Sequence, residues 1–109
     1  MKKELLKGFI DIYIMIILQK GSNYGYGINK CIKIVSEGTC EINEATLYIA
    51  LKRLESKNFI KSYYESTKFH TKRKYYSLTD KGKIELKNNI CDFENINKLI
   101  KNLMEFKNE

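Results

Sequence analysis

The chain has 109 residues and a mass of 12.9 kDa, room for one domain with a single extended helix attached. Apolar residues make up 43% and charged residues 30%, with six glycines and no proline, which excludes a disordered linker, a collagen-like chain and a loop-rich fold. Twenty basic against thirteen acidic residues give +7 and a pI near 9.3, a charge that suits a polyanion without distinguishing nucleic acid from an anionic membrane.

Residues 4–20 read as a helix that is apolar nearly all round, from Leu5, Leu6, Phe9 and Ile10 to the run Ile12 to Leu18. That run has seven residues, whereas a membrane span needs about 20, so no membrane partner is expected and the chain reads as cytoplasmic. A helix of this kind must be covered on more than one side, which already suggests a second subunit. Gly21-Ser22-Asn23 punctuates, with Asn23 as the expected N-cap of a second helix from Tyr24 to about Ser36. Its expected core face is Ile28, Cys31, Ile32 and Val35, and Glu37-Gly38-Thr39 closes it.

A third helix is expected from Asn43 to about Lys57, with Asn43 as its cap. At 100° per residue Leu47, Leu51 and Leu54 fall within about 60° of one another and face the core. Ala45, Thr46, Ile49, Lys52, Arg53 and Ser56 fall on the far side, with Tyr48 at the edge. Asn58 then stands where a left-handed residue ends the helix.

Residues 59–64 and 73–78 are rich in aromatic and β-branched residues, as strands are, and flank a polar, basic stretch from Glu65 to Lys72. Charge concentrates here: residues 59–82 hold six basic and two acidic residues. Tyr75 and Tyr76 read as packing residues of this hairpin, and His70 as a solvated group near its tip. Thr79 caps a last helix, Asp80 to about Phe106, with an apolar stripe through Leu86, Ile90, Phe93, Asn97, Ile100 and Met104. A rod of about 40 Å is too long to bury itself on so small a domain and is expected to pack on its twin.

Cys31, Cys40 and Cys91 form no CxxC pair and His70 is the single histidine, so no disulfide framework, metal site or cofactor is expected. No nucleophile has a companion base and no glycine loop cradles a phosphate, so the chain is not expected to be an enzyme.

Three helices followed by a basic hairpin is the order of a winged helix-turn-helix, in which the third helix enters the major groove and the wing lies on the DNA backbone. The expected fold is therefore mainly α with a small β hairpin. Residues 1–79 form the winged domain, whose first helix also serves the dimer interface, and residues 80–109 a dimerisation helix. Its alternative role is a protein-interaction module without DNA or effector binding. The expected DNA-facing residues are Tyr24, Asn43, Glu44, Ala45, Thr46, Tyr48, Ile49, Lys52 and Arg53, with Lys72, Arg73 and Lys74 on phosphates.

Asn23-Tyr24-Gly25-Tyr26-Gly27-Ile28, Asn43-Glu44-Ala45-Thr46-Leu47-Tyr48, Leu51-Lys52-Arg53-Leu54-Glu55, Arg73-Lys74-Tyr75-Tyr76 and Leu78-Thr79-x-x-Gly82 resemble the PadR family of bacterial transcriptional regulators. The likeness spans the chain and is strongest to the short, multidrug-sensing subfamily. It implies a homodimeric repressor, an operator of double-stranded DNA with inverted half-sites, and a planar aromatic effector between the first and last helices. The matching effector positions are Leu5, Gly8, Asp11, Ile12, Ile90, Phe93 and Asn97. The chain departs from the family in Ile49 for a frequent proline, Asn58 for a frequent glycine, and Phe93 for the ligand-stacking tryptophan of the multidrug repressors. Asp11 stands out as a lone carboxylate in an apolar segment, facing either solvent, a cation or a cavity where it would favour cationic ligands.

Overall fold

The computed structural model describes the backbone of residues 3–108 and the side chains of residues 8–108. The elements are helix α1 (Lys3–Gln19), strand β1 (Asn23–Tyr24), helices α2 (Gly25–Val35) and α3 (Glu44–Ser56), strands β2 (Ile60–Ser66) and β3 (Lys72–Leu78), and helix α4 (Asp80–Glu105). The strands form one antiparallel sheet in the order β1-β3-β2. This is a winged helix-turn-helix with a long C-terminal helix.

The core is where the helix stripes meet the sheet. Ile10, Ile14, Met15 and Leu18 of α1, Ile28 and Ile32 of α2, and Leu47, Ala50, Leu51 and Leu54 of α3 are buried together with Ile60, Tyr76, Leu78 and Leu86. Ile12, Tyr13, Ile16 and Ile17 lie half-buried at the margin of this cluster, so α1 is covered on several sides within the single chain and stays open along one flank.

Local chemistry sets the ends of α3. The Asn43 side chain accepts a hydrogen bond from the Ala45 amide at 2.8 Å, satisfying one donor of the first turn. At the other end the Phe59 amide donates to the Leu54 carbonyl and the Asn58 amide to the Glu55 carbonyl, a Schellman closure with Asn58 at φ 64°. The chain then runs straight into β2. Thr79 anchors α4 to this same corner: its hydroxyl accepts from the Gly82 amide and its own amide donates to the Phe59 carbonyl. Gly82 packs so closely there that a Cβ would overlap the Phe59 carbonyl oxygen.

Three expectations need correction. Asn23 does not cap α2; Asn23 and Tyr24 form β1 opposite Tyr76 and Tyr75, and Tyr24 occupies the cap position without a side-chain bond. Strand pairing with β3 has outcompeted the capping geometry. Val35 is 77% exposed, standing at an open recess between α1 and α2 instead of in the core. The turn of the wing is shorter than expected: Glu65 and Ser66 pair with Arg73 and Lys72, and only Thr67–Thr71 form the loop, with His70 exposed at φ 61°. Lys72 is thus a strand residue and not part of the tip, and it continues the alternation of faces with Arg73 and Lys74.

The helix α4 packs its first turns on the body, burying Leu86 and half-burying Ile90. From Cys91 to Phe106 every residue is exposed, and the molecule is 70 Å long against 30 and 21 Å in its other dimensions.

Candidate nucleic-acid interface

The exposed side of α3 follows from the burial of its leucine stripe. Glu44, Ala45 and Lys52 are exposed and Thr46 half-buried beside them. Ile49 is 63% exposed, an apolar side chain presented at the centre of this ridge. Tyr48, 44% exposed, turns toward the start of α2. It lies so near that a Cβ on Gly25 would stand 2.6 Å from its hydroxyl oxygen.

Pairing of β1 with β3 brings a second group of expected residues to the same place. Tyr24 lies directly opposite Tyr75, and Tyr63 opposite Tyr75 on the other side, so the three rings share one face of the sheet. Their centroids are 5.5 and 5.9 Å apart, and Tyr26 stacks on Tyr24 at 6.3 Å. The Arg73 guanidinium caps this row, 4.2 Å from the centre of the Tyr24 ring. Tyr24, Gly25, Tyr26, Tyr48, Arg73, Lys74 and Tyr76 line a recess of about 380 Å³ between the start of α2, the edge of α3 and the wing. The recess thus unites Tyr24, Tyr48 and the Arg73-Lys74 pair, three places far apart in sequence.

The cations are not equivalent. Lys72 and Arg73 are exposed, whereas Lys74 is half-buried, 3.8 Å from the Glu55 carboxylate and over the Tyr76 ring. Burial holds the Tyr76 phenol above its ordinary pKa, with the nearby Lys74 acting in the opposite sense. Arg53 turns away from the outer ridge: its Nε and Nη2 donate to the two oxygens of Asp11 at 3.1 and 2.5 Å. That hydrogen bonding raises the Arg53 pKa above its ordinary value, desolvation opposing it. Arg53, expected to face DNA, and Asp11, expected to face solvent, a cation or an effector cavity, are therefore bonded to each other.

Among the other expected effector positions, Phe93 is 47% exposed and meets the Phe9 ring edge-on at 5.6 Å. Ile12 and Ile90 are half-buried, Gly8 and Asn97 are exposed, and Leu5 lies outside the residues whose side chains are described. A chiefly apolar recess of about 560 Å³ lies elsewhere, between α1 and α2, lined by Tyr13, Ile16, Ile17, Cys31, Ile32 and Val35 among others. All three cysteines are free thiols. Among the described residues no cluster of three or more His, Cys, Asp or Glu side chains is arranged for a metal, and no helix is long and apolar enough to cross a membrane.

Sequence reasoning missed Tyr26 and Tyr63 as members of the aromatic row. The signal for Tyr26 was the Tyr24-Gly25-Tyr26 triplet; for Tyr63 it was the cross-strand register with Tyr75, which only the folded hairpin defines.

The profile of the Transcriptional regulator PadR-like family matches residues 14–88. The chain belongs to the PadR family. A transcriptional regulator from Clostridium thermocellum has the same fold with a TM-score of 0.86 and 36% identity, covering 93% of this chain and 95% of that one. A PadR family transcription regulator from Clostridium difficile R20291 superposes with a TM-score of 0.76 and 39% identity over 89% of this chain and 99% of its own. Bacillus subtilis PadR in complex with operator DNA is similar over 74% of this chain and 46% of its own, with a TM-score of 0.68 and 28% identity. This PadR member is accordingly a transcriptional regulator and not an enzyme.

Proposed function

We propose that the chain is a homodimeric repressor that reads an inverted-repeat operator with α3 in the major groove and the wing on the backbone. The observation that carries this reading is the continuous surface formed by the exposed side of α3 and the recess of Tyr24, Tyr48 and Arg73. Thr46, Ile49 and Lys52 offer hydroxyl, methyl and ammonium groups to base edges and phosphates, with Asn43, Glu44 and Ala45 at the leading end of the helix. Arg73, Lys72 and Tyr24 serve the backbone. The relative from Bacillus subtilis seen with operator DNA supports duplex DNA as the partner.

The exposed apolar residues Ile96, Leu99, Ile100 and Leu103 of α4 support pairing with a second copy. A planar aromatic effector seated between α1 and α4 of the two protomers, against Phe93, Ile90 and Ile12, relieves repression. The controlled gene is then of the multidrug or detoxification transporter class. Two stacked aromatic faces add about 0.5–1.5 kcal/mol beyond the area they bury. To act, the ligand must bind the dimer geometry that mismatches the operator better than the one that fits it.

The test is fluorescence anisotropy with a duplex enriched by the wild-type chain from a random library, and with a scrambled duplex, at several salt concentrations. Tight, discriminating, steeply salt-dependent binding is expected; salt-independent or absent binding overturns the reading. Titration with planar cationic dyes decides the effector: saturable binding lost in Phe93→Ala supports it, and no saturable binding by the wild type removes it.

A further inference from the structure

Two charged residues of α3, two positions apart, tie the helix to different parts of the fold. Arg53 reaches α1, forming a forked pair with the Asp11 carboxylate across 42 residues of sequence. Glu55 reaches the wing, accepting a hydrogen bond from the Ser62 hydroxyl of β2 and pairing with Lys74 of β3. We infer that Asp11 and Arg53 are positioning residues for operator recognition, fixing the setting of α3 against α1, and that Arg53 is not a phosphate contact. This inference rests on the reading that α3 enters the DNA groove.

Other contacts also hold α3. Leu47, Ala50, Leu51 and Leu54 bury its inner face, but apolar burial is non-directional and tolerates small rotations and slides of a helix. A two-point arginine–carboxylate fork is directional, since both hydrogen bonds are satisfied in one relative placement only. Both side chains keep partial solvent access, 41% for Arg53 and 30% for Asp11, so the pair contributes little to global stability. Its effect falls on orientation. The pair is also electrically neutral as a unit, which removes Arg53 from the set of cations that displace counterions from DNA.

The location of Asp11 gives the link a second end. Phe9 and Asp11 are two residues apart on α1, about 200° around the helix, so they face opposite neighbours. Phe9 meets Phe93 of α4, while Asp11 meets Arg53 of α3. A displacement of α1 at the α4 seam is therefore delivered to the recognition helix through a rigid polar contact.

The test compares wild type, Asp11→Asn, Arg53→Gln and the double variant. Each is measured against the enriched and scrambled duplexes across a salt series, with thermal midpoints recorded in parallel. Each single variant is expected to lose about tenfold in discrimination between the duplexes, and the double variant no more than either single one, as for two residues acting as one unit. The salt slope and the thermal midpoint stay near the wild-type values. If Arg53→Gln instead weakens both duplexes equally and shallows the slope by about 0.9 per lost phosphate contact, Arg53 is a phosphate contact and the inference fails. Additive losses, unchanged discrimination in Asp11→Asn, or losses that track only a fall in thermal midpoint overturn it as well. A wild type that enriches no duplex overturns the operator reading itself, which is a different result from variants that discriminate as well as the wild type.

Discussion

The guanidinium carbon of Arg73 sits over Tyr24, 4.2 Å from the ring centre, and this contact latches the wing to the start of α2. The two residues belong to strands that pair antiparallel, so the latch closes only when the three-stranded sheet has formed. A cation held over a ring is pre-oriented for a backbone phosphate and loses little freedom on binding. Arg73→Ala is expected to weaken enriched and scrambled duplexes alike and to shallow the salt slope by about 0.9 per phosphate released. Tyr24→Leu keeps the charge but removes the ring, and a loss of about two- to fivefold follows from a cation–π contact of about 0.5–1 kcal/mol. An unchanged salt slope in Arg73→Ala would rule out the phosphate role.

Gly25 is the space into which Tyr48 folds. Adding a methyl group in Gly25→Ala brings a Cβ to 2.6 Å from the Tyr48 hydroxyl oxygen, so the ring must swing away from α2. The ring is at the surface and free to move, so thermal stability should change by less than about 1 kcal/mol. Discrimination between duplexes should fall in Gly25→Ala as it does in Tyr48→Ala. Full discrimination in both variants would show that the placement of Tyr48 is irrelevant to readout.

Gly82 gives a stability prediction whose sign is informative. In an exposed helix, replacing glycine by alanine stabilises by about 1 kcal/mol. Here the added Cβ overlaps the Phe59 carbonyl, the same oxygen that receives the Thr79 amide. Gly82→Ala should therefore destabilise, by about 1–3 kcal/mol as overpacked sites do. Calorimetric unfolding reads this directly, and a raised midpoint would contradict the close packing of α4 on that corner.

The outer half of α4 makes a prediction about assembly. Ile96, Leu99, Ile100 and Leu103 are more than half exposed in the single chain. Replacing Leu99 and Leu103 together by glutamate should shift the chain toward monomer in sedimentation equilibrium while leaving the winged domain folded. A wild type that sediments as a folded monomer at micromolar concentration would defeat the homodimer proposal.

Alkaline titration offers a fifth measurement. Burial holds the phenols of Tyr13 and Tyr76 above the ordinary value of 10.0, so the neutral forms are favoured in the folded state. Their contribution to stability is complete below pH 10.0 and is lost as pH rises through the folded-state values. Tyr76→Phe should flatten part of that alkaline decline; an identical pH dependence in the variant would contradict its burial.

What could be read from the sequence was local. The Asn43 cap, the left-handed Asn58 and the leucine stripe of α3 each depend on residues within two turns of one another, and periodicity exposes them. The two-residue strand β1 has no pattern of its own: Asn23 and Tyr24 look like a turn and a cap until Tyr75 and Tyr76 supply partners about fifty residues later. The sequence of Asp11's surroundings leaves solvent, a cation or a cavity open to it, and nothing there or around Arg53 identifies each as the other's partner 42 residues away. Val35 shows another limit. The period of α2 aligns it with Ile28 and Ile32, but how far the covering layer extends is a property of the neighbouring helices.

The anchorage of α4 at Thr79 and Gly82 makes the helix a lever with its pivot at one end. Over 26 residues its arm is about 39 Å, so a tilt of about 5° at the pivot carries the far end through about 3.4 Å. That displacement equals the axial rise of one base pair. In a two-fold assembly joined near the free ends, the geometry runs in reverse: the joined ends stay fixed and each winged domain travels. A rearrangement that shifts the buried Leu86 by less than about 1 Å then suffices to move two reading heads out of step with the pitch of a double helix.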